Sequence, residues 1–175
     1  GGLVGTAVGD AIGELAFRRP TRDGLLADVE ARETLVYTDD TAMAIGLAQS
    51  LIRYQDIDQD GLGDIFQKNF HQEPWRGYAS GPPTIFSMVQ NLRITYIEAA
   101  HRLFRGSGSL GNGAAMRIAP VGLFFYQSMD LYEKAAASAG VTHAHPVGMD
   151  GAAVQARAVA LSANLNPEES LSREH

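Results

Sequence analysis

Apolar side chains recur every third or fourth position along this chain, and alternating β-branched runs are scarce. That spacing gathers them on one face of a helix and leaves no pattern for a half-buried strand, so it predicts an all-α fold. The clearest stripe lies between Asp40 and Tyr54, where Met43, Ala44, Leu47, Ala48, Leu51 and Ile52 fall together. The same period predicts helices in "IFSMVQNL", in "YIEAAHRLF", from Leu131 to Gly140 and from Gly148 to about Leu165, with another after the turn "DIDQDGLG". A first helix carries Leu3, Val4, Ala7, Val8, Ala11 and Ile12 interleaved with Gly2, Gly5, Gly9 and Gly13. Each glycine costs a helix about 1 kcal/mol relative to alanine, so this density predicts close approach of another helix or of a ligand. The polar stretch Arg18 to Glu33 reads as a long surface loop, and "HQEPWRGYASGPPT" as an irregular one. At 175 residues the chain reads as a single domain, 1–175, with volume for a continuous core.

Composition narrows the partners. The net charge is −6 and the Lys and Arg residues are scattered, which gives a phosphate backbone nothing to grip, so no nucleic-acid binding is expected. The longest apolar run, Ile118 to Tyr126, is about half a membrane span, and no signal-peptide pattern opens the chain, so no membrane association is expected. The absence of cysteine rules out disulfides and thiolate metal sites and suits a cytoplasmic protein.

Four short segments carry chemistry. "GSGSLGNGAAMR" holds Gly106, Gly108, Gly111 and Gly113 and satisfies G-x-G-x-x-G, but it follows a helical segment rather than a buried strand, which argues against a dinucleotide fold. Two readings remain: a tight turn, or a concavity of backbone amides for an anion, aided by the positive end of a helix expected to start near Ala114. "YTDDTAMA" places Thr38, Asp39, Asp40 and Thr41 together; the residues suit a capped helix start, and equally a hard-oxygen site for magnesium or calcium that relieves two adjacent carboxylates. Asp56, Asp58, Asp60 and Gly61 mimic the start of a calcium loop. Gln67 at the twelfth position and Gly63 at the eighth break that pattern and favour a helix-connecting turn. In "THAHP", His143 and His145 lack a third His or Cys nearby in sequence, so one suits a pocket lining and the other a cap or surface position better than a metal pair.

The order and spacing of "GTAVGDAIG", "YTDDTAMA", "GSGSLGNGAAMRIAPVGLF" and "THAHP" across residues 2 to 152 resemble the ADP-ribosylglycohydrolase family. The resemblance implies a compact all-α bundle around a dinuclear magnesium centre (two Mg2+ ions), with the glycine segment wrapping the diphosphate of ADP-ribose. By position it implies Thr38, Asp39 and Asp40 as magnesium ligands, the two aspartates being catalytic in that sense, and Asp10 as a supporting carboxylate. Gly108, Ser109, Leu110, Gly111, Asn112 and Gly113 match the diphosphate and ribose contacts, and Phe104 matches an aromatic near the adenine. His143 matches a histidine reaching the distal end of the ligand, and Gly77, Tyr78, Ser80 and Gly81 match the flank that closes over the ribose. Ser109 stands where the nitrogenase-reductase-activating branch has an aspartate, so the chain looks closer to the branch acting on serine-linked and polymeric ADP-ribose. The implied reaction is magnesium-dependent hydrolysis at ribose C1″ of ADP-ribose or of an ADP-ribosylated protein.

Three departures qualify the resemblance. The family's second acidic motif, of the Gly-Asp-x-Asp-Thr type, is not found in these 175 residues, so the chain is expected to be the N-terminal portion of a longer domain. The glutamate that several members hold seven residues after the first aspartate is Phe17 here; Glu14, one helical turn after Asp10, is a candidate to replace it as the proton-handling carboxylate. Leu110 replaces an aromatic of the nearest branch. An incomplete acid set with retained glycines also fits a non-catalytic, crystallin J-like relative that binds ADP-ribose or is structural.

Overall fold

A computed structural model describes residues 1–166, and among them there are nine α-helices and no strand. The helix α3 (Asp39–Tyr54) forms the centre: Met43, Leu47 and Leu51 of its stripe are buried against Leu62 and Phe66 of α4 (Gln59–Gln72), whereas Ile52 at the end of the stripe is exposed. The two helices approach closely because Gly46 lies beneath the Phe66 ring, where a Cβ would sit 3.0 Å from Phe66 Cδ1. The core continues through Ile85 and Phe86 of α5 (Gly81–Leu92) and Tyr96, Ala99 and Ala100 of α6 (Tyr96–Gly106). A capping box between Thr95 and Glu98 fixes where α6 begins. On the far side, α8 (Leu131–Gly140) and α9 (Pro146–Ala163) pack together and bury Ala135, Ala139, Ala152, Ala156 and Ala160, small side chains that let backbones come near. The short α7 (Ala119–Phe124) packs on α9, with a Cβ at Gly122 only 2.6 Å from Ala156 O.

Three expectations change. Arg18 to Glu33 is not one loop: it contains α2 (Arg22–Glu30), started by Thr21, whose hydroxyl accepts the Gly24 N–H. That helix buries no residue, which is why its sequence shows polarity without an apolar stripe. The glycines of α1 (Gly2–Ala16) do not seat another helix among the described residues: a Cβ at Gly5, Gly9 or Gly13 meets nothing within 4 Å, and only Gly2 lies against a neighbour, Leu123. Finally, no helix starts near Ala114. The segment makes one 3-10 turn, Asn112–Ala114, and the next helix begins at Ala119, because Pro120 is at home only in the first turn.

No helix among the described residues is long and apolar enough to cross a membrane.

Candidate active site

The acidic end of the site starts with one carboxylate on α1. Asp10 accepts the backbone N–H of Thr38 at 2.8 Å and the Thr38 hydroxyl at 2.6 Å, and also the Thr41 N–H at 3.2 Å and the Thr41 hydroxyl at 2.6 Å. Thr38 is therefore the N-cap residue of α3, but its own side chain makes no capping bond; α1 supplies the cap across the fold. The consequence is positional, since the next two residues, Asp39 and Asp40, are held at the mouth of a helix, Asp40 also hydrogen-bonded to the Thr38 side chain. Removing the Asp10 carboxyl strands several donors at once. Asp10→Ala is expected to cost about 2 kcal/mol of stability, at the upper end for a lost cap, measured by denaturant unfolding.

Crowding raises the proton affinity of both aspartates. Burial, then the charge of Asp40, then Asp10 push Asp39 up to about 6, although its backbone amide pulls the other way. Asp40 is raised by burial and by Asp10, with a smaller push from Glu14. Glu14 itself is exposed at the rim of the same cleft, one turn along α1 from Asp10. Among the described residues no three His, Asp or Glu side chains converge into a ligand set by themselves. What is present is the Thr38 hydroxyl oxygen with the carboxylates of Asp39 and Asp40, all hard donors carrying more negative charge than their surroundings neutralise. That chemistry fits a magnesium ion keeping several waters.

These residues line a cleft of about 820 Å³, together with Gly9, Gly13, Phe17, Trp75, Arg76, Gly77, Asn112 and Met116. Arg76 anchors its far wall by donating to Tyr37 O at 3.0 Å and to Glu73 at 2.8 Å. Gly77 follows with φ +89°, and a Cβ there would lie 3.8 Å from Asp39 Oδ1. A second cleft of about 620 Å³ runs along the glycine segment, lined by Asp39, Met43, Ser80, Gly81, Phe104, Ser107 to Gly113, Met116, Thr142, His143 and His145. Asp39, Asn112 and Met116 line both, so the acid pair and the glycine segment lie in neighbouring clefts that share these three residues.

The glycines of this segment have different reasons to be bare. Gly108 has φ +72°, and a Cβ on it would stand 2.7 Å from the His145 backbone nitrogen. Gly113 faces His143, with a Cβ only 2.6 Å from the imidazole Cε1. Gly111 is different: φ is negative, the nearest atom to its Cβ is Ser109 Oγ at 3.4 Å, and its N–H donates to that same hydroxyl. Its missing side chain leaves room in the cleft instead of making room for a neighbour.

His143 is buried, with Nδ1 2.8 Å from the Thr142 hydroxyl, and burial followed by the charge of Arg117 pushes its pKa down to about 4. It is a neutral imidazole against the glycine turn, the pocket-lining reading of "THAHP". His145 takes the other role: its side chain accepts the Val147 N–H and caps α9. Asp58 likewise caps α4 through the Gly61 N–H at 2.7 Å, while Asp56 pairs with Lys134 at 2.7 Å, so the calcium-loop mimic is a helix start. Phe104 reaches the cleft through an unusual backbone: α6 is non-helical from Leu103, and Phe104 and Arg105 both have positive φ, 51° and 62°. Tyr78 is the member of the flank that lines neither cleft. Its ring packs edge-on to Phe70 at 5.1 Å, and burial and Asp39 hold its hydroxyl protonated, pushed up to about 12. Sequence reasoning passed over Met116, Arg76 and Arg117; the last was signalled by a lone charge inside "AAMRIAPVGLF".

Among the described residues the protein is all-α, with an acidic helix mouth beside a glycine-lined trough. The chain belongs to the ADP-ribosylglycohydrolase family, which it matches over residues 1–174. It is 36% identical over 177 residues to the human ADP-ribosylhydrolase ARH3, covering 93% of this chain and 49% of that protein. The zebrafish (Danio rerio) ADP-ribosylhydrolase ARH3 is also 36% identical, over 173 residues, covering 93% and 46%. A protein of Archaeoglobus fulgidus is 30% identical over 184 residues, covering 97% and 57%. The chain spans about half the length of the curated relatives it matches.

Proposed function

We propose that this chain forms the ADP-ribose cleft and one acidic half of the metal site of a hydrolase that cleaves the C1″ bond of ADP-ribosylated proteins. The observation that carries the reading is the shared wall: Asp39 faces both the acid cleft and the glycine trough. A diphosphate seated along Ser109 to Gly113 leaves its two ends near different groups. One lies by Phe104, whose left-handed backbone, a conformation costing about 1–2 kcal/mol, presents the ring for an adenine. The other lies by the Asp39 and Asp40 carboxylates, where the ribose and its scissile bond belong.

Magnesium bound by Thr38, Asp39 and Asp40 would supply Lewis acidity and a more acidic water there. The protein's own groups do the rest. Asp10 keeps the acid pair in register, Gly77 bounds the acid cleft and the Ser80–Gly81 flank the trough, and neutral His143 lines the trough against the Gly113 turn. In this reading Glu14, at the rim of the acid cleft, takes a proton from an attacking water.

The reading predicts a pH-dependent response to magnesium. In the metal-free chain Asp39 binds its proton more tightly folded than unfolded, so the acid pair costs stability above about pH 6 and that cost disappears as pH falls through 6 towards 4. Magnesium relieves the same repulsion and competes with that proton. Millimolar magnesium is therefore expected to raise Tm at pH 7.5 and to raise it less at pH 5.5, read by thermal unfolding. An equal shift at both pH values, or none, speaks against the acid pair as the metal site. Calorimetric titration with ADP-ribose, followed by release of ADP-ribose from a serine-modified peptide, then separates a hydrolase from a binding-only relative.

A further inference from the structure

The trough assigned to a diphosphate has no lysine or arginine in its lining. The helix whose positive end was expected behind it does not exist, since the segment makes a single 3-10 turn. Gly111 spends its amide on Ser109 Oγ, and His143 is neutral. A doubly charged ligand would thus meet little positive charge in the wall itself.

One cation stands directly behind that wall. Arg117 is 0% exposed, yet among the described residues no Asp or Glu pairs with it. Its Nη1 donates to Gly113 O at 3.2 Å and touches Met43 Sδ at 3.8 Å, and both Gly113 and Met43 line the trough. Nη2 donates to Ser138 O at 3.2 Å, one of the carbonyls left over at the C-terminal end of α8. The guanidinium lies over the Phe66 ring at 4.6 Å, and its Nε has no hydrogen-bond partner.

A buried charge without a counter-ion and with an orphaned N–H is expensive, and apolar replacement of buried ionic groups is often neutral or stabilising. Stability alone does not account for it. We infer that Arg117 is a positioning residue for the anionic ligand, a buried counter-charge that pins the Gly113 turn and supplies through the wall the positive potential that the trough lacks. The inference rests on the diphosphate reading of the cleft. Burial lowers its pKa only to about 9, so the group remains charged at neutral pH. The low dielectric around it leaves its field poorly screened.

The test compares two ligands, ADP-ribose and uncharged adenosine, by calorimetry on the full chain and on Arg117→Met and Arg117→Lys. Arg117→Met is expected to weaken ADP-ribose binding at least tenfold, to change adenosine binding less than twofold, and to leave Tm equal or higher. Arg117→Lys, which restores the charge without the fork, is expected to recover most of the ADP-ribose affinity. If Arg117→Met does not fold, Arg117→Gln carries the same expectation, being neutral but still able to donate to Gly113 O. Unchanged ADP-ribose affinity in the neutral variant, or equal losses for both ligands, overturns the inference while leaving the cleft reading intact. A wild-type chain that binds no ADP-ribose overturns both.

Discussion

Replacing Asp39 by asparagine is expected to abolish hydrolysis while improving the metal-free protein. The two effects have one cause. Asp39 is the carboxylate shared by both clefts, and burial, Asp40 and Asp10 all raise its pKa, to about 6. Deleting its charge removes repulsion from the folded state, so the variant should unfold at an equal or higher temperature without magnesium and lose the magnesium-dependent rise. Loss of even an outer partner of a metal ligand costs about 10–100-fold in activity or affinity, so loss of a ligand itself should exceed about 100-fold. Release of ADP-ribose from a modified peptide, followed with Tm in the presence and absence of magnesium, checks both halves. Activity within tenfold of wild type would remove Asp39 from the chemistry.

The largest effect on stability is expected from Gly108→Val. The backbone there sits at φ +72°, which costs a β-branched residue at least 1–2 kcal/mol. The new Cβ would also lie 2.7 Å from His145 N and 2.9 Å from Ala144 C, and backbone atoms leading into α9 have no rotamer to escape into. Overpacking of this kind typically costs 1–3 kcal/mol, so a total of about 3 kcal/mol is expected in urea unfolding. Gly111→Val is its counterpart. Nothing lies closer than 3.4 Å to a Cβ at Gly111, so stability should move by less than about 0.5 kcal/mol while ADP-ribose binding falls, because the side chain enters the trough. If Gly111→Val binds ADP-ribose as the wild type does, the trough is not where the ligand lies.

Those two glycines mark the boundary of what could be read in the sequence. Both appeared there as the same letter in one motif, and both were expected to serve a ligand. Only the arrival of the Ala144–His145 backbone, from a segment more than thirty residues further on, makes Gly108 a packing residue. The same holds for Asp10. Its position on a glycine-rich helix suggested a supporting carboxylate, but its four bonds to Thr38 and Thr41 exist because α1 crosses the start of α3. Arg117 could be noticed as a charge among apolar residues, yet its lack of an acidic partner among the described residues is a fact of the fold.

By itself the sequence determined the helical class, the apolar stripe of α3, the end points of α8 and the adjacency of Asp39 and Asp40, since each depends on residues within a few turns of one another. The tertiary structure alone decided that the acid pair and the glycine trough share a wall, that the segment after Gly111 is a single turn, and that Arg117 is buried with no acid beside it among the described residues. The physical reason is range. Periodicity and capping act over a turn or two of chain, whereas burial, charge–charge repulsion and steric exclusion act between residues that only folding brings within a few ångströms.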